Sequence, residues 1–195
     1  MSTTFQKLSQ QEVLLKSESW GESESASLSL LHCLITLLSF IDQYVSQSDL
    51  KAFNAQFAPA AKDYSIPLLL HNGAKNNESD AGMEAMLDVE TVVAGIYPLP
   101  SIFLAEGDSN YPGDIFALAF QDLVDNFDVH TRPKVITASY GANEIELTQQ
   151  QGDSMCQYAQ KLSALGTTIL VSSGDNGVIG AVEESCPEFN PNYPS

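Results

Sequence analysis

From residue 41 onward, apolar and polar positions change between two patterns that predict strands and helices in turn. Continuous apolar, β-branched stretches predict strands, and apolar residues at every third or fourth position predict helices. The predicted strands are 64–71, 101–106, 133–141 and 167–175. The predicted helices are 47–58, 79–96, 113–126 and 148–165. This alternation indicates right-handed strand–helix–strand crossovers, and therefore an α/β fold with a parallel sheet and helices on both faces.

Local signals refine three of these elements. Ser48 or Asp49 is expected to cap the first helix, and Gly166 to end the last one. Pro67 indicates an edge strand or an irregular start for the strand at 64–71. The run 167–171 is apolar throughout, which predicts a strand buried on both faces.

Residues 1–40 do not follow the pattern. A stretch rich in Ser, Glu and Gln precedes a Leu-rich segment at 28–41. That segment has the length of the apolar region of a signal peptide, but an acidic stretch precedes it, so no signal peptide is recognised. The expected organisation is an unassigned leader at 1–40, poorly ordered or forming a marginal helix, and one domain at 41–195.

The net charge excludes several classes of partner. The 195 residues include 25 acidic and 8 basic ones, which give a formal charge of −17, and 44% are hydrophobic. Such a surface repels nucleic acid and anionic membranes. No stretch reaches 18 apolar residues, so no membrane-spanning helix is expected. An acidic surface is also compatible with work at low pH, where protonation reduces self-repulsion.

Three cysteines and one glycosylation sequence bear on the compartment. Cys156 and Cys186 lie in the same region and are expected to form a disulfide, leaving Cys33 unpaired. Asn77-Glu78-Ser79 is an N-glycosylation sequence in a polar stretch, which matters only if the chain is secreted.

The strand predicted at 167–175 ends in a polar sequence with one carboxylate. Ile169–Gly177 read ILVSSGDNG, which places Asp175 at the carboxyl end of the strand. Open α/β sheets bind ligands at that end. The local sequence is equally good turn chemistry without any function, so Asp175 alone decides nothing.

The helix predicted at 79–96 has two carboxylates on one face. Glu84 and Asp88 are four residues apart, so their side chains lie one turn from each other. In a partly buried site their repulsion raises one pKa and makes a coupled acid–base pair. On a solvated helix they are only part of an acidic surface, and the helix sequence leaves both interpretations open.

Three segments in order resemble one peptidase family. They are GMEAMLDVE at 82–90, ITASYGANE at 136–144 and LGTTILVSSGDNGV at 165–178. They resemble the Gly-x-Glu-x-x-Leu-Asp, Ser-Tyr-Gly-x-x-Glu and Ser-Gly-Asp-x-Gly motifs of the sedolisins, serine-carboxyl peptidases that include tripeptidyl peptidases. The resemblance covers roughly residues 40–195 and is strongest to the secreted fungal branch. It implies a subtilisin-like sheet, here an incomplete domain, and an extracellular location.

The resemblance also implies roles for the residues at motif positions. Glu84 would be the base that takes the proton of a nucleophilic serine, and Asp88 would support it. Asp175 would donate a hydrogen bond to the oxyanion, which requires its acid form. The substrate cleft would include Ser139, Tyr140, Gly141 and Gly174, although Tyr140 also fits a packed aromatic at a strand end. Peptides or proteins would be the substrates.

One part of the family site does not occur in this sequence. The family nucleophile lies in a Gly-Thr-Ser-x-Ser motif, which is absent here, and the family calcium site lies beyond it. No cofactor or metal is therefore expected in this chain, and the chain alone is expected to be inactive. The alternatives are a peptide-binding or partner-binding remnant of the fold, and an acidic scaffold on which Glu84 and Asp88 are only surface.

Overall fold

A computed structural model describes residues 35–107, 114–179 and 190–195. These residues contain seven strands and four α-helices. The strands are β1 (Ile35–Ser39), β2 (Leu68–His71), β3 (Ser101–Glu106), β4 (Val135–Ala138), β5 (Ala142–Asn143), β6 (Thr168–Val171) and β7 (Asn192–Tyr193). The helices are α1 (Gln47–Phe57), α2 (Met83–Ile96), α3 (Ile115–Asp125) and α4 (Gln149–Ala164). Short 3-10 turns occur at Pro59–Ala61, Glu78–Asp80, Glu144–Glu146 and Gly177–Ile179.

Five strands form one parallel sheet in the order β2-β3-β1-β4-β6. Strand β1 is central: Ile35 is in register with Ser101 of β3 on one side and with Val135 of β4 on the other. Strands β5 and β7 form a separate antiparallel pair. Because all five strands run the same way, their carboxyl ends lie along one edge of the sheet, where such folds place their sites.

Helices cover both faces of this sheet. Successive residues of a strand point to opposite faces, so the neighbours Leu37 and Leu38 belong to two different hydrophobic clusters. Leu37 packs with α1 and α2, and Leu38 packs with α3 and α4. The α/β architecture predicted from the alternating pattern is therefore confirmed.

The observed strand boundaries differ most from the predicted ones where polar residues follow a strand. The strand at 101–106 has the predicted limits, but β4 and β6 end at Ala138 and Val171, three and four residues before the predicted ends. The following Ser-Tyr-Gly and Ser-Ser-Gly-Asp residues therefore form loops. Strand β2 begins only after Pro67, because proline has no backbone N–H for the sheet.

Two helices also begin differently from the prediction. The side chain of Ser46, rather than Ser48 or Asp49, caps α1 by accepting a hydrogen bond from the Asp49 backbone N–H. Helix α2 begins at Met83, four residues later than predicted. Gly166 does follow the last helix, with a left-handed φ of +89°.

The predicted limit of the leader at residue 40 was wrong. Residues 35–39 form the central strand of the sheet, and Leu37 and Leu38 are fully buried. The domain therefore includes at least six residues assigned to the leader, while residues 1–34 lie outside the described residues.

Strand β6 is less buried than its apolar sequence predicted. Leu170 is 52% exposed, and the four residues alternate between exposed and partly buried positions. The reason is position: among the described residues β6 pairs only with β4 and forms an edge of the sheet. In the part of the chain that the structure describes, no helix has the length and apolar character required to cross a membrane.

Candidate active site

Helix α2 carries the two carboxylates singled out in the sequence. Its first turn is held by Gln43, whose Oε1 accepts a hydrogen bond from the Glu84 backbone N–H at 3.2 Å. The opposite face of the helix is buried by Ala85 and Val89, both 0% exposed. This packing fixes the rotation of the helix, so Glu84 and Asp88 lie together on a partly buried face.

Ser139 joins this helix to the sheet. It follows β4, and its Oγ donates a hydrogen bond of 2.7 Å to Oδ1 of Asp88. The same hydroxyl also interacts with the carboxyl of Glu84. One residue at the carboxyl end of a strand thus contacts both acidic side chains.

Burial raises the pKa of both carboxyls, and nearby negative charge adds to this effect at Glu84. Burial is the larger cause that raises the pKa of Glu84, followed by the charges of Asp88 and Asp175. Burial also raises the pKa of Asp88, and the hydrogen bond from Ser139 partly offsets that rise. The two carboxyls therefore form the partly buried pair, rather than a solvated acidic stripe.

Asp175 reaches the same site from the turn after β6. Its side chain is exposed, and its charge acts on Glu84. The preceding Gly174 has a φ of +78°, a conformation that residues with a side chain rarely adopt. Glu84 and Asp88 thus lie close together, and the exposed Asp175 is near enough for its charge to act on Glu84.

Tyr140 is both packed and part of the site. Its hydroxyl lies 3.0 Å from Oγ of Ser39, and its ring packs edge-on against Phe40. Burial, together with the charges of Asp88 and Glu84, raises the pKa of Tyr140 to about 12, despite the opposing hydrogen bond with Ser39. Tyr140 therefore stays a neutral phenol behind the two carboxyls.

Asn192 connects the two loops that follow β4 and β6. A Cβ added to Gly141 would lie 2.5 Å from its side-chain amide, and one added to Gly174 would lie 3.3 Å from its Cγ. The amide Nδ2 donates to the Ser172 carbonyl at 3.3 Å. Gly141 and Gly174 are thus positions of close approach, and both are exposed.

Sequence reasoning missed Ser39 and Asn192. Ser39 contacts Tyr140 across 101 positions of sequence, and it lies in the stretch assigned to the leader. Asn192 lies in the segment CPEFNPNYPS at 186–195, in which Glu188 is the one charged residue. Predicting a strand at residues 35–39 would have placed Ser39 at the carboxyl end of a strand, and thereby near the site.

The predicted disulfide stays a prediction. Cys156 lies on α4 with an exposed side chain, and Nε2 of Gln160 is 3.2 Å from its Sγ. Cys33 and Cys186 lie outside the described residues.

Among the described residues, one group of side chains has the arrangement of a metal site. It comprises His71, Glu106 and Asp122. None of the three belongs to the site around Glu84, because His71 and Glu106 end β2 and β3 on the opposite half of the sheet.

Comparison with known proteins gives matches in sequence and in fold. No protein-family model matches the chain. A probable tripeptidyl-peptidase SED2 of Trichophyton verrucosum is 27% identical over 180 residues, which cover 83% of this chain and 30% of that protein. Tripeptidyl-peptidase 1 of Dictyostelium discoideum is 29% identical over 161 residues, covering 82% and 25%. A solved Pseudomonas sedolisin, a serine-carboxyl proteinase complexed with two molecules of pseudo-iodotyrostatin, is similar in fold. It has a TM-score of 0.60 and 21% identity, over 85% of this chain and 46% of that one.

The chain thus resembles the sedolisin family, through its sequence similarity to tripeptidyl-peptidases and a fold similar to that of a solved sedolisin. The resemblance inferred from the three motifs is thereby confirmed, as is the subtilisin-like α/β fold. The chain spans less than a third of the length of the two tripeptidyl-peptidases described above.

Proposed function

We propose that this sedolisin-like chain forms the part of an acid serine peptidase that carries the base and the oxyanion donor. The observation that carries the proposal is the Glu84–Asp88 pair, linked by Ser139 and approached by Asp175 at one edge of the sheet. Structural carboxylates on a helix surface have no need of a hydroxyl donor from a strand end or of a third carboxylate from another loop.

Glu84 is the general base in this proposal. It accepts the proton of a serine hydroxyl as the serine oxygen attacks the substrate carbonyl, and it returns that proton to the leaving amine. A carboxylate suits this task in acidic solution, where a histidine base would already be protonated. Asp88 holds Glu84 in place through the shared contact with Ser139 and favours the protonated form of Glu84 after the transfer.

Asp175 is the oxyanion donor. In its carboxylic-acid form it has an O–H that can donate to the negative oxygen of the tetrahedral intermediate. Its exposed position after the left-handed Gly174 leaves it accessible to a substrate.

Peptides are the substrates in this proposal. The open backbone at Gly141 and Gly174 lies beside Ser139 and Tyr140, where an extended peptide can approach the carboxyls. Because the relatives are tripeptidyl-peptidases, we expect release of tripeptides from the amino terminus of a peptide.

An extracellular location is part of the same proposal. Asn77 and Ser79 of the glycosylation sequence are exposed, and Oδ1 of Asn77 accepts a hydrogen bond from the Ser79 hydroxyl. On secretion from a eukaryotic host, a mass increase that Asn77→Gln removes and Asn76→Gln retains would support this location. A secreted chain without a glycan at Asn77 would count against it.

The catalytic roles can be tested by joining a serine nucleophile to this chain. A sedolisin carboxyl-terminal segment with its Gly-Thr-Ser-x-Ser motif is fused after Ser195, and cleavage of peptides is followed from pH 3 to pH 7. We expect activity with an acid optimum, which Glu84→Gln abolishes because an amide cannot accept the proton. Asp175→Asn keeps a donor and should lose less activity.

Glu90→Gln is the matched control, since Glu90 is a partly buried glutamate of the same helix that interacts with Asp49 instead. Full activity of the Glu84→Gln fusion would refute the assignment of the base. The unfused chain is expected to be inactive at every pH. If it binds peptides tightly while the fused chain stays inactive, the peptide-binding alternative is the correct one.

A further inference from the structure

A second cluster of ionisable side chains lies on the other half of the same sheet edge. His71 ends β2, Glu106 ends β3, and Asp122 projects from α3. We propose that these three side chains bind a divalent transition-metal cation, with Zn²⁺ as the ion that their ligand types fit best.

The three donor atoms have the spacing of a metal site. Nδ1 of His71 lies 2.9 Å from Oδ2 of Asp122 and 3.7 Å from Oε1 of Glu106. All three donor atoms lie within 4.8 Å of one another. Ligands of tetrahedral zinc, with bonds near 2.1 Å, are separated by about 3.4 Å, so small side-chain movements bring all three into coordination.

The outer oxygen of each carboxylate is held by an asparagine. Nδ2 of Asn72 donates to Oε2 of Glu106 at 2.8 Å, and Nδ2 of Asn126 donates to Oδ1 of Asp122 at 3.1 Å. Oε1 of Glu106 is left without a hydrogen bond, while Oδ2 of Asp122 is hydrogen-bonded to Nδ1 of His71 at 2.9 Å and accepts a long bond of 3.4 Å from Nδ2 of Asn72. Partners of this kind orient metal-binding carboxylates in known sites.

Glu106 has a buried oxygen that the fold does not satisfy. The residue is 3% exposed, and its Oε1 has no hydrogen-bond partner. A buried carboxylate oxygen without a partner is costly, and a cation at the centre of the cluster would remove that cost. The burial and the charge of Asp122 raise the pKa of Glu106 to about 7, against the weaker opposing effects of Asn72 and His71.

The charge balance points to the same ligand. Among the described residues, His71 is the one basic side chain paired with these two carboxylates. With a neutral imidazole, the two carboxylates match the charge of one divalent cation. The mixture of one nitrogen and two carboxylate oxygens is a zinc set rather than the all-oxygen set that calcium prefers.

The site is accessible without unfolding. The side chain of His71 is 16% exposed, while that of Glu106 is fully buried. An ion can therefore enter past His71 and reach the buried carboxylates, and the fourth position is left for water. Such a site would tie β2, β3 and α3 together without taking part in peptide cleavage.

Zn²⁺ titration of the full chain tests the proposal. The protein is treated with a chelator and dialysed, and ZnCl₂ is then titrated at pH 7.5 in a calorimeter. We expect one equivalent to bind, with binding at least about 10-fold weaker in His71→Gln and in Glu106→Gln. His130→Gln is the matched control, because His130 is exposed and lies outside the cluster, and it should bind as the unaltered chain does.

Two outcomes would overturn the proposal. One is the absence of a stoichiometric site in the unaltered chain. The other is that His71→Gln and Glu106→Gln bind zinc as tightly as the unaltered chain does, which would assign the zinc to surface carboxylates. Circular dichroism shows whether each variant is folded, and the zinc absorption edge of the loaded chain should show one imidazole nitrogen among oxygen ligands. None of these measurements depends on peptidase activity.

Discussion

Gly82 shows how the absence of a side chain helps to position the start of α2, where Glu84 lies. A Cβ at Gly82 would lie 2.1 Å from Oε1 of Gln43, the atom that accepts the hydrogen bond from the Glu84 N–H. Gln43 follows Ile41 and Asp42, whose φ values of 52° and 55° are left-handed. The glycine is thus required so that Gln43 can occupy this space and hold the first turn of α2.

Gly82→Ala should therefore destabilise the chain. The new methyl group displaces Gln43, and overpacking of this kind costs about 1–3 kcal/mol. The free energy of unfolding is measured by urea titration. Gly95→Ala is the control on the same helix, where no atom lies within 4 Å of the added Cβ. It should stabilise by about 0.5–1 kcal/mol, because alanine favours helix more than glycine does. Equal effects of the two substitutions would contradict the proposed role of Gln43.

Ser139 sets the ionisation of the pair on α2. Its hydrogen bond favours the charged form of Asp88 and lowers the pKa of both Asp88 and Glu84. Ser139→Ala should raise both pKa values further, which carboxyl ¹³C shifts recorded between pH 3 and pH 8 would show. Ser173→Ala, at an exposed position of the turn before Asp175, is the control that should leave the pKa of Asp88 unchanged.

At the scale of single residues, the charged residues of the candidate site could be predicted from the sequence, but the neutral residues Ser39 and Asn192 could not. Glu84 and Asp88 are recognisable because their spacing on a helix and their motif are local properties. Ser39 and Asn192 act through contacts with Tyr140 and with the Gly141 and Gly174 backbone. Such contacts depend on how distant segments pack. The local sequence around a serine or an asparagine does not predict them.

At the scale of elements, β1 is the strand that the pattern concealed. Its residues belong to the Leu-rich stretch 28–41, which is longer than an ordinary strand. A strand buried on both faces has no alternation of apolar and polar residues, so periodicity cannot distinguish it from a buried helix. The predicted ends of β4 and β6 differ from the observed ends for a simpler reason. The polar residues that follow these strands form loops at the candidate site and do not hydrogen-bond to a neighbouring strand of the parallel sheet.

Leu38→Ala should be strongly destabilising because Leu38 is fully buried in the central strand. Removing its side chain leaves a cavity between β1, α3 and α4, at a cost of about 2–5 kcal/mol. Leu170→Ala in β6 is the control, since Leu170 is 52% exposed and should lose less than about 0.5–1 kcal/mol. Both are measured by urea unfolding, and a small loss for Leu38→Ala would mean that β1 is not central.

For the molecule as a whole, buried carboxyls make stability depend on pH in one direction. Burial raises the pKa of five acidic side chains, of which Glu106 shifts to about 7. They are Glu84, Asp88, Glu90, Glu106 and Asp114. A raised pKa means that the folded state favours the protonated carboxyl. Its stabilising contribution is present below the pKa of the unfolded chain and is lost as the pH rises through the folded value.

The chain should therefore be more stable at pH 5 than at pH 8. Glu106 alone accounts for on the order of 1–3 kcal/mol of this difference, and repulsion within a chain of net charge −17 acts in the same direction. Thermal unfolding is followed across this range with a chelator present. Glu106→Gln should reduce the difference, whereas Glu144→Gln, at an exposed site, should retain it. A melting temperature that rises toward pH 8 would contradict this account.

Because β1 is central, it lacks both neighbouring strands for part of the time during which the chain is synthesised. It is the first described strand to leave the ribosome, yet its two neighbours lie about 66 and 100 residues further along the chain. At roughly 5–20 residues per second, this strand waits on the order of 5–20 seconds for its second neighbour. During that time the apolar residues Leu37, Leu38 and Phe40 have no sheet to cover them. Among the described strands of the sheet, β1 therefore stays exposed to aggregation for the longest time during synthesis.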